Sequence, residues 1–180
     1  MLKNTQQSWG LVSKTFHWLL VLIIISLFGL GLWMVELSYY DSWYKTAPDL
    51  HKSIGIIAMS LMFMRLIWRA MNPTPKPLAT HHTWERYLAH GVHITLYLII
   101  FLIGITGYLI STADGRAIEV FGLISIPSIG IFIERQEDVA GWAHWALAWT
   151  LMTVVSLHFI GALKHHFIDK DSTLVRMLHK

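Results

Sequence analysis

The sequence has no cysteine and little charge. Disulfides, thiolate-bound iron–sulfur clusters and cofactors attached through C-x-x-C-H are therefore excluded. Only 14% of the 180 residues are charged and 54% are hydrophobic, whereas a soluble domain usually has about 25% charged residues. We expect most of the surface to face lipid. The sequence also lacks a charged segment followed by a short apolar stretch and a small-residue cleavage site, so no cleaved signal peptide is expected.

Four apolar runs have the length of a membrane-spanning helix, which needs about 20 mostly apolar residues. Three of the runs lie within uncharged stretches of 21, 27 and 25 residues, and the other is shorter, with Lys52, Arg65 and Arg69 near its ends. The sequence predicts an all-α membrane protein: a single four-helix bundle domain over residues 1–180. The predicted helices cover about 15–36, 50–70, 87–112 and 141–166.

One connector lies between the second and third helices, and another lies between the third and fourth. A proline-rich segment at 72–77 cannot continue a helix, because proline lacks the backbone donor. Asp114-Gly115 marks the end of the third helix, and a longer polar-side loop is expected from about 115 to 140.

The lysines and arginines predict the orientation, because cytoplasmic loops carry an excess of both. With four helices, both termini share one side. Four basic residues fall on the opposite side, which also holds eight of the eleven acidic residues. We therefore expect cytoplasmic termini, and the basic face to contact lipid headgroups rather than nucleic acid. The ten basic residues on the termini side are Lys3, Lys14, Arg65, Arg69, Lys76, Arg86, Lys164, Lys170, Arg176 and Lys180.

Histidines within the predicted spans are the main functional signal. Metal-binding side chains are costly inside a membrane, so each is a functional candidate. A single one is equally well explained as a neutral histidine that hydrogen-bonds to a neighbouring helix, but five favour a shared purpose. They are His17, His51, His93, His144 and His158.

The two histidines of the fourth helix have an informative spacing. His144 and His158 are 14 residues apart, which on an α-helix places them within about 40° of each other and roughly 21 Å apart along the axis. One lies in each leaflet, on a shared face. That spacing is wrong for one metal ion and suits two stacked planar cofactors.

Matching depths predict the partners of these two histidines. His51 is expected at the level of His144, near the outer surface, and either His17 or His93 at the level of His158. Haem iron accepts two axial imidazoles from facing helices of a bundle. Zinc prefers four ligands at one centre, so ligands divided between leaflets disfavour it.

Other residues fit two non-covalent haems. Arg65 follows His51 by 14 residues and is expected at the inner level, where its guanidinium would either pair with a haem propionate or extend to the interface. Several glycines would either make room for flat macrocycles or allow close helix packing. They are Gly29, Gly31, Gly55, Gly104, Gly107 and Gly161.

From about residue 13 to 177 the chain resembles the bacterial cytochrome b561 family of small di-haem membrane cytochromes. The order and spacing of the matching pieces are specific, although each piece alone is weak. They are Phe16-His17-Trp18, His51-x-x-x-Gly55, Pro73-Thr74-Pro75, Leu88-Ala89-His90-x-x-His93, His144, His158 and the tail His165-His166-x-x-x-Lys170-Asp171-x-Thr173-Leu174-x-Arg176-Met177.

The resemblance implies two haem b groups held by His17, His51, His144 and His158, with His17 chosen over His93. It also implies a bacterial inner-membrane oxidoreductase that oxidises superoxide at the outer face and reduces ubiquinone near the inner face. Relatives of this type have a lysine in the linker close to the quinone, where this chain has Thr80 with Lys76 nearby.

Candidate residues for the two substrates follow from this expectation. Lys52, Lys45 and Arg116 are expected on the outer side, where they could guide the superoxide anion. The quinone candidates on the inner side are His165, His166, Lys164, Arg69 and Lys76. The main alternative is a haem-bearing subunit that links a partner redox enzyme to quinone. A histidine-lined metal or proton transporter is more remote, because the spans offer very few carboxylates for a polar path.

Overall fold

The computed structural model describes residues 1–178. Lys180, one of the basic residues that predicted the orientation, lies outside the described residues. Four helices dominate the chain, and all four are long and apolar enough to cross a membrane. The predicted four-helix membrane fold is therefore confirmed. The helices are α1 (Leu11–Met34), α2 (Thr46–Met71), α3 (Thr83–Ser111) and α4 (Gln136–Phe167), followed by a single turn, α5 (Val175–Leu178).

Each long helix begins about four or five residues before the predicted position. Each added turn contains polar or charged residues, so apolar content alone does not reveal it. At α3, His82 and Glu85 form a capping box, in which the Glu85 carboxylate accepts the backbone N–H of His82 at 3.0 Å. At α4, Glu137 and Asp138 occupy the first turn, where carboxylates complement the helix dipole.

The connector between α3 and α4 contains a small antiparallel hairpin that the sequence analysis missed. Strands β1 (Ile118–Val120) and β2 (Ile124–Ile126) pair across a turn in which Phe121 and Gly122 both have positive φ, 51° and 68°. Positive φ at both central residues is typical of a tight hairpin turn. The Ser53 hydroxyl accepts the Phe121 N–H at 3.1 Å, which fixes the hairpin against α2.

The helices form two antiparallel pairs. α1 packs mainly on α2 and α3 on α4, and α2 also contacts α3 and β1. Within α1 only Leu20 is fully buried, and the backbone contacts between the two pairs are mainly those of α2 with α3.

The first residues of the chain and the described part of its tail lie at one end of the bundle. The Trp18 indole N–H donates to the carbonyl of Met177 at 3.0 Å, and Arg176 donates to the carbonyls of Gln7 and of Lys76, the latter at 3.1 Å. The chain start, the 72–82 linker and the tail therefore form one layer. We call this end the termini side and the end with the hairpin the loop side.

Candidate functional site

The structure brings the predicted histidines together in two pairs. His51 and His144 lie on the loop side with ring centroids 6.3 Å apart, and His17 and His158 lie on the termini side with centroids 6.4 Å apart. We call them the loop-side pair and the termini-side pair. α4 contributes one ring to each pair, and its unbroken course keeps the two rings roughly 21 Å apart along the axis.

Two neighbours orient the His144 ring of the loop-side pair. Its Nδ1 lies 3.1 Å from the carbonyl of Ile103 and 3.2 Å from the Thr106 hydroxyl. A carbonyl only accepts, so Nδ1 carries the proton and Nε2 presents a lone pair. In metal sites, the ring nitrogen that does not bind the metal usually makes a hydrogen bond of this kind, which orients the imidazole.

Two glycines leave room for the imidazole rings of the loop-side pair. A Cβ on Gly31 would lie 3.3 Å from Cε1 of His51, and a Cβ on Gly107 would lie 3.2 Å from Cε1 of His144. The predicted role of these glycines is thus refined: they make room for the histidine rings. A Cβ on Gly29, Gly55 or Gly161 would meet nothing within 4 Å, and one on Gly104 would overlap Met59.

The termini-side pair is more crowded. His93 approaches His158 with a centroid distance of 5.2 Å, so three histidines converge here. Nη2 of Arg65 lies 3.3 Å from Nδ1 of His17. A guanidinium has no acceptor, so His17 Nδ1 accepts in this arrangement.

A second arginine joins Arg65 at this level. The guanidinium carbons of Arg65 and Arg69 lie 5.8 and 5.9 Å from the centroid of the Tyr97 ring. Arg65 therefore stays inside the bundle rather than extending to the interface. Arg69, a quinone candidate, belongs to the same group.

The remaining quinone candidates lie on the termini side and differ in the ion pairs and hydrogen bonds that they make. Lys164 pairs with Glu85 at 2.6 Å and with Asp169 at 2.7 Å. His165 directs Nδ1 at Asp169, 2.9 Å away, and at Asp171, 3.0 Å away. Nδ1 of His166 is buried and has no hydrogen-bond partner within residues 1–178. The ammonium of Lys76 makes no ion pair within the same residues.

The three candidate guides for an anion lie on the loop side. Lys52 pairs with Asp49 at 2.7 Å, and Arg116 pairs with Asp114 at 2.5 Å. The hydrogen bond from the Arg116 side chain lowers the pKa of the Asp114 carboxyl, so this partner stays ionised. Lys45 makes no ion pair with any described residue and is the least neutralised of the three.

The sequence analysis missed one polar cluster on the termini side. His81 of the linker meets Asp171 of the tail, with Nε2 3.0 Å from Oδ2. The tail motif included Asp171 without a role, and His81 carried no signal of its own. The two are 90 residues apart in sequence, so only the fold reveals the contact.

Comparisons with known proteins agree with this arrangement. The sequence model of the family described as prokaryotic cytochrome b561 matches residues 8–180. The chain belongs to the prokaryotic cytochrome b561 family. It is therefore a multi-pass membrane protein that binds haem b and transfers electrons.

Relatives in this cytochrome b561 family cover nearly the whole chain. Cytochrome b561 homolog 2 of Escherichia coli (strain K12) is 50% identical over 98% of this chain and 94% of its own length. Probable superoxide oxidase CybB of Yersinia pestis is 32% identical over 91% and 92%. Cytochrome b561 homolog 1 of Escherichia coli (strain K12) is 26% identical over 92% and 96%.

The histidine pairs fit the haem that the cytochrome b561 family implies. Two imidazoles that bind one iron from opposite faces, each nitrogen about 2 Å from the metal, place their centroids about 6.3 Å apart. The observed separations are 6.3 and 6.4 Å, whereas the His93–His158 separation is 5.2 Å. The donor set thus suits two iron centres, and the assignment of individual ligands stays a prediction.

Proposed function

We propose that the protein carries electrons across the membrane between two bis-histidine haem b groups, from superoxide on the loop side to ubiquinone on the termini side. His51 and His144 would hold one group, and His17 and His158 the other. The observation that carries the proposal is the presence of two histidine pairs, each with the separation expected for a shared iron, at opposite ends of one continuous helix.

Haem supplies reversible one-electron chemistry when it is bound. The protein's own part is to fix the rings. Ile103 fixes His144 through Nδ1 at 3.1 Å. On the termini side, His17 would hold the haem through Nε2 and carry its proton on Nδ1, where Arg65 could no longer donate. The Arg65 guanidinium would then be available to a propionate.

The overall reaction balances as two superoxide anions, one ubiquinone and two protons giving two dioxygen molecules and one ubiquinol. Support for superoxide comes from the 32% identical relative named probable superoxide oxidase. On the loop side, Lys45 precedes the first turn of α2, the helix that bears His51. It is the cation best placed to attract the anion.

Protons for ubiquinone have to enter on the termini side, which we place in the bacterial cytoplasm, with the protein in the inner membrane. His166 is the donor best placed to bond a quinone carbonyl, because its Nδ1 is buried without a partner within residues 1–178. Nε2 of His165 donates only when the ring carries both protons, since Nδ1 already donates to Asp169 and Asp171. Lys164 already bonds two carboxylates, so it is the weaker candidate.

The test uses purified protein in vesicles that contain ubiquinone. Superoxide added outside should reduce the haems and form one quinol per two superoxide anions. His166→Ala should leave haem reduction intact and slow quinol formation at least tenfold. His90→Ala, which changes an exposed histidine of α3, is the control. If superoxide leaves the oxidised haems unchanged while quinol reduces them, the superoxide role is wrong.

A membrane subunit for a partner redox enzyme is the second candidate function. The connector from β1 to α4 exposes apolar side chains: Leu123 is 86% exposed and Ile129 70%. Such a surface suits a docked protein, and the 50% identical relative is named only as a cytochrome b561 homolog. This function predicts slow electron exchange with superoxide and rapid exchange only when the partner is added.

A further inference from the structure

Two histidines and a carboxylate converge on one point outside the haem pairs. His81 comes from the linker, His165 from the end of α4 and Asp171 from the tail. Nε2 of His81 and Nδ1 of His165 each lie 3.0 Å from the same Asp171 oxygen, Oδ2. All three ligand atoms lie within 4.8 Å of one another. The side chains are 16%, 17% and 5% exposed, respectively.

The separation of the two rings distinguishes this cluster from the haem pairs. The centroids of His81 and His165 are 4.6 Å apart, against 6.3 and 6.4 Å in the pairs. No macrocycle fits between rings this close. Two imidazoles that bind one small ion on adjacent tetrahedral positions, at about 2.0–2.1 Å, hold their nitrogens roughly 3.3 Å apart. Nε2 of His81 and Nδ1 of His165 lie within 4.8 Å of each other, so a closure of at most about 1.5 Å would bring both nitrogens to one ion.

Neighbouring groups orient the carboxylate. The backbone N–H of Thr173 donates to Oδ1 of Asp171 at 2.7 Å, which leaves Oδ2 directed at the two histidines. The bond from Thr173 N–H to Oδ1 is a supporting hydrogen bond of the kind that holds the ligands of metal sites in place. The Thr173 hydroxyl lies 3.0 Å from Nε2 of His81, so an ion bound to this nitrogen would take its place.

We propose that His81, His165 and Asp171 form a binding site for a divalent transition-metal ion, of which zinc is the best match. Two imidazoles and one carboxylate are a common ligand set for zinc, with the fourth position left to water. Asp169 lies 2.9 Å from His165 Nδ1 but also pairs with Lys164. It is therefore a nearby charge rather than a ligand. The site does not depend on the haem assignment.

A bound ion would join three segments of the termini side: the linker, α4 and the tail. It would also occupy the Nδ1 of His165, which leaves only Nε2 for any quinone. Because the ion would bind outside the two haem pairs, zinc occupancy is expected to leave the haem spectrum unchanged.

The experiment uses haem-loaded, untagged protein in detergent, stripped with a chelator and then dialysed against zinc. Elemental analysis should give about one zinc per chain, and competition with a chromophoric chelator gives the affinity. Zinc-edge X-ray absorption of the wild-type protein should show a nitrogen and oxygen shell with scattering from two imidazoles. His81→Asn and Asp171→Asn should each weaken binding at least tenfold.

His90→Asn is the matched control, because His90 is an exposed histidine on α3 outside the cluster. It should bind zinc as the wild type does. The proposal is overturned if the wild type retains less than half an equivalent, if His90→Asn weakens binding as much as His81→Asn, or if the absorption spectrum shows no imidazole. Should the cluster variants lose haem through misfolding, the wild-type absorption spectrum decides alone.

Discussion

The loop-side and termini-side pairs have the same ring separation but different surroundings. The loop-side rings pack against Gly31 and Gly107, and a backbone carbonyl orients His144. The termini-side rings have a third histidine, His93, and the guanidinium of Arg65 beside them. One fold therefore provides a neutral, closely fitted site and a positively charged, crowded one. If each pair holds a haem as proposed, the two haems should differ mainly in reduction potential.

Loss of a ligand should have the largest effect. His144→Ala should remove or convert to high spin only the loop-side haem, and His158→Ala only the termini-side haem, because each ring serves one pair. The pyridine haemochrome assay, which should give two haems per wild-type chain, should fall to about one, and redox titration should lose one component. Equal damage to both components by either variant would contradict two separate sites.

The third histidine provides the matched test of the termini-side pair. His17→Ala should disrupt that haem, whereas His93→Ala should preserve its low-spin spectrum, because the 5.2 Å separation of His93 from His158 is too short for a shared iron. The reverse outcome would mean that His93 is the ligand and that the ring moves on haem binding.

Removal of the buried charge should have the next largest effect. Arg65→Gln is expected to lower the potential of the termini-side haem, because a nearby positive charge disfavours the ferric state. A unit charge about 6 Å away at an effective dielectric constant of 20 corresponds to a change on the order of 100 mV. Arg65→Lys should retain most of the potential. Spectroelectrochemical titration measures both components, and an equal shift of the loop-side component would argue against a local effect.

A methyl group at Gly31 or Gly107 should have a smaller effect, and should affect the loop-side pair. Gly107→Ala places a Cβ 3.2 Å from His144, and Gly31→Ala places one 3.3 Å from His51, so the rings have to move by a few tenths of an ångström. We expect altered electron paramagnetic resonance of the loop-side haem only, with a cost of about 1 kcal/mol. Gly29→Ala and Gly161→Ala meet open space and serve as controls.

Neutralisation of a loop-side lysine should have the smallest effect. Under the proposed superoxide reaction, Lys45→Gln should slow haem reduction about two- to fivefold at low salt, and less at high salt, because screening shortens the range of its field. Lys52→Gln should change the rate less, since Asp49 already pairs with Lys52 at 2.7 Å. Stopped-flow reduction at two ionic strengths measures both rates. Equal sensitivity of the two variants would remove Lys45 from the steering role.

Features that depend on the spacing of residues along a helix were predictable from the sequence. Apolar runs predicted four helices, and the 14-residue spacing of His144 and His158 predicted two levels on one helix. Depth also brought His51 to His144, which the structure bears out as a contact. Depth did not decide whether His17 or His93 is the partner of His158, and both rings lie near His158.

Features that depend on long-range contacts were not predictable. The hairpin at 118–126 consists of two three-residue strands, whose alternation is too short to stand out. Its turn donates a backbone N–H to Ser53 of α2, a contact that lies far away in the sequence. The approach of His81 to Asp171 spans 90 residues. Such contacts arise from how the connectors fold over the bundle, which residue periodicity does not encode.

The position of α4 in the chain has a consequence for biosynthesis. α4 provides one imidazole to each pair and follows the other three helices. A ribosome that has released only α1–α3 has therefore made neither pair. A chain interrupted before residue 144 has no complete pair, and one interrupted between 144 and 158 has only the loop-side pair. The loop-side pair is therefore the first for which both histidines have been synthesised.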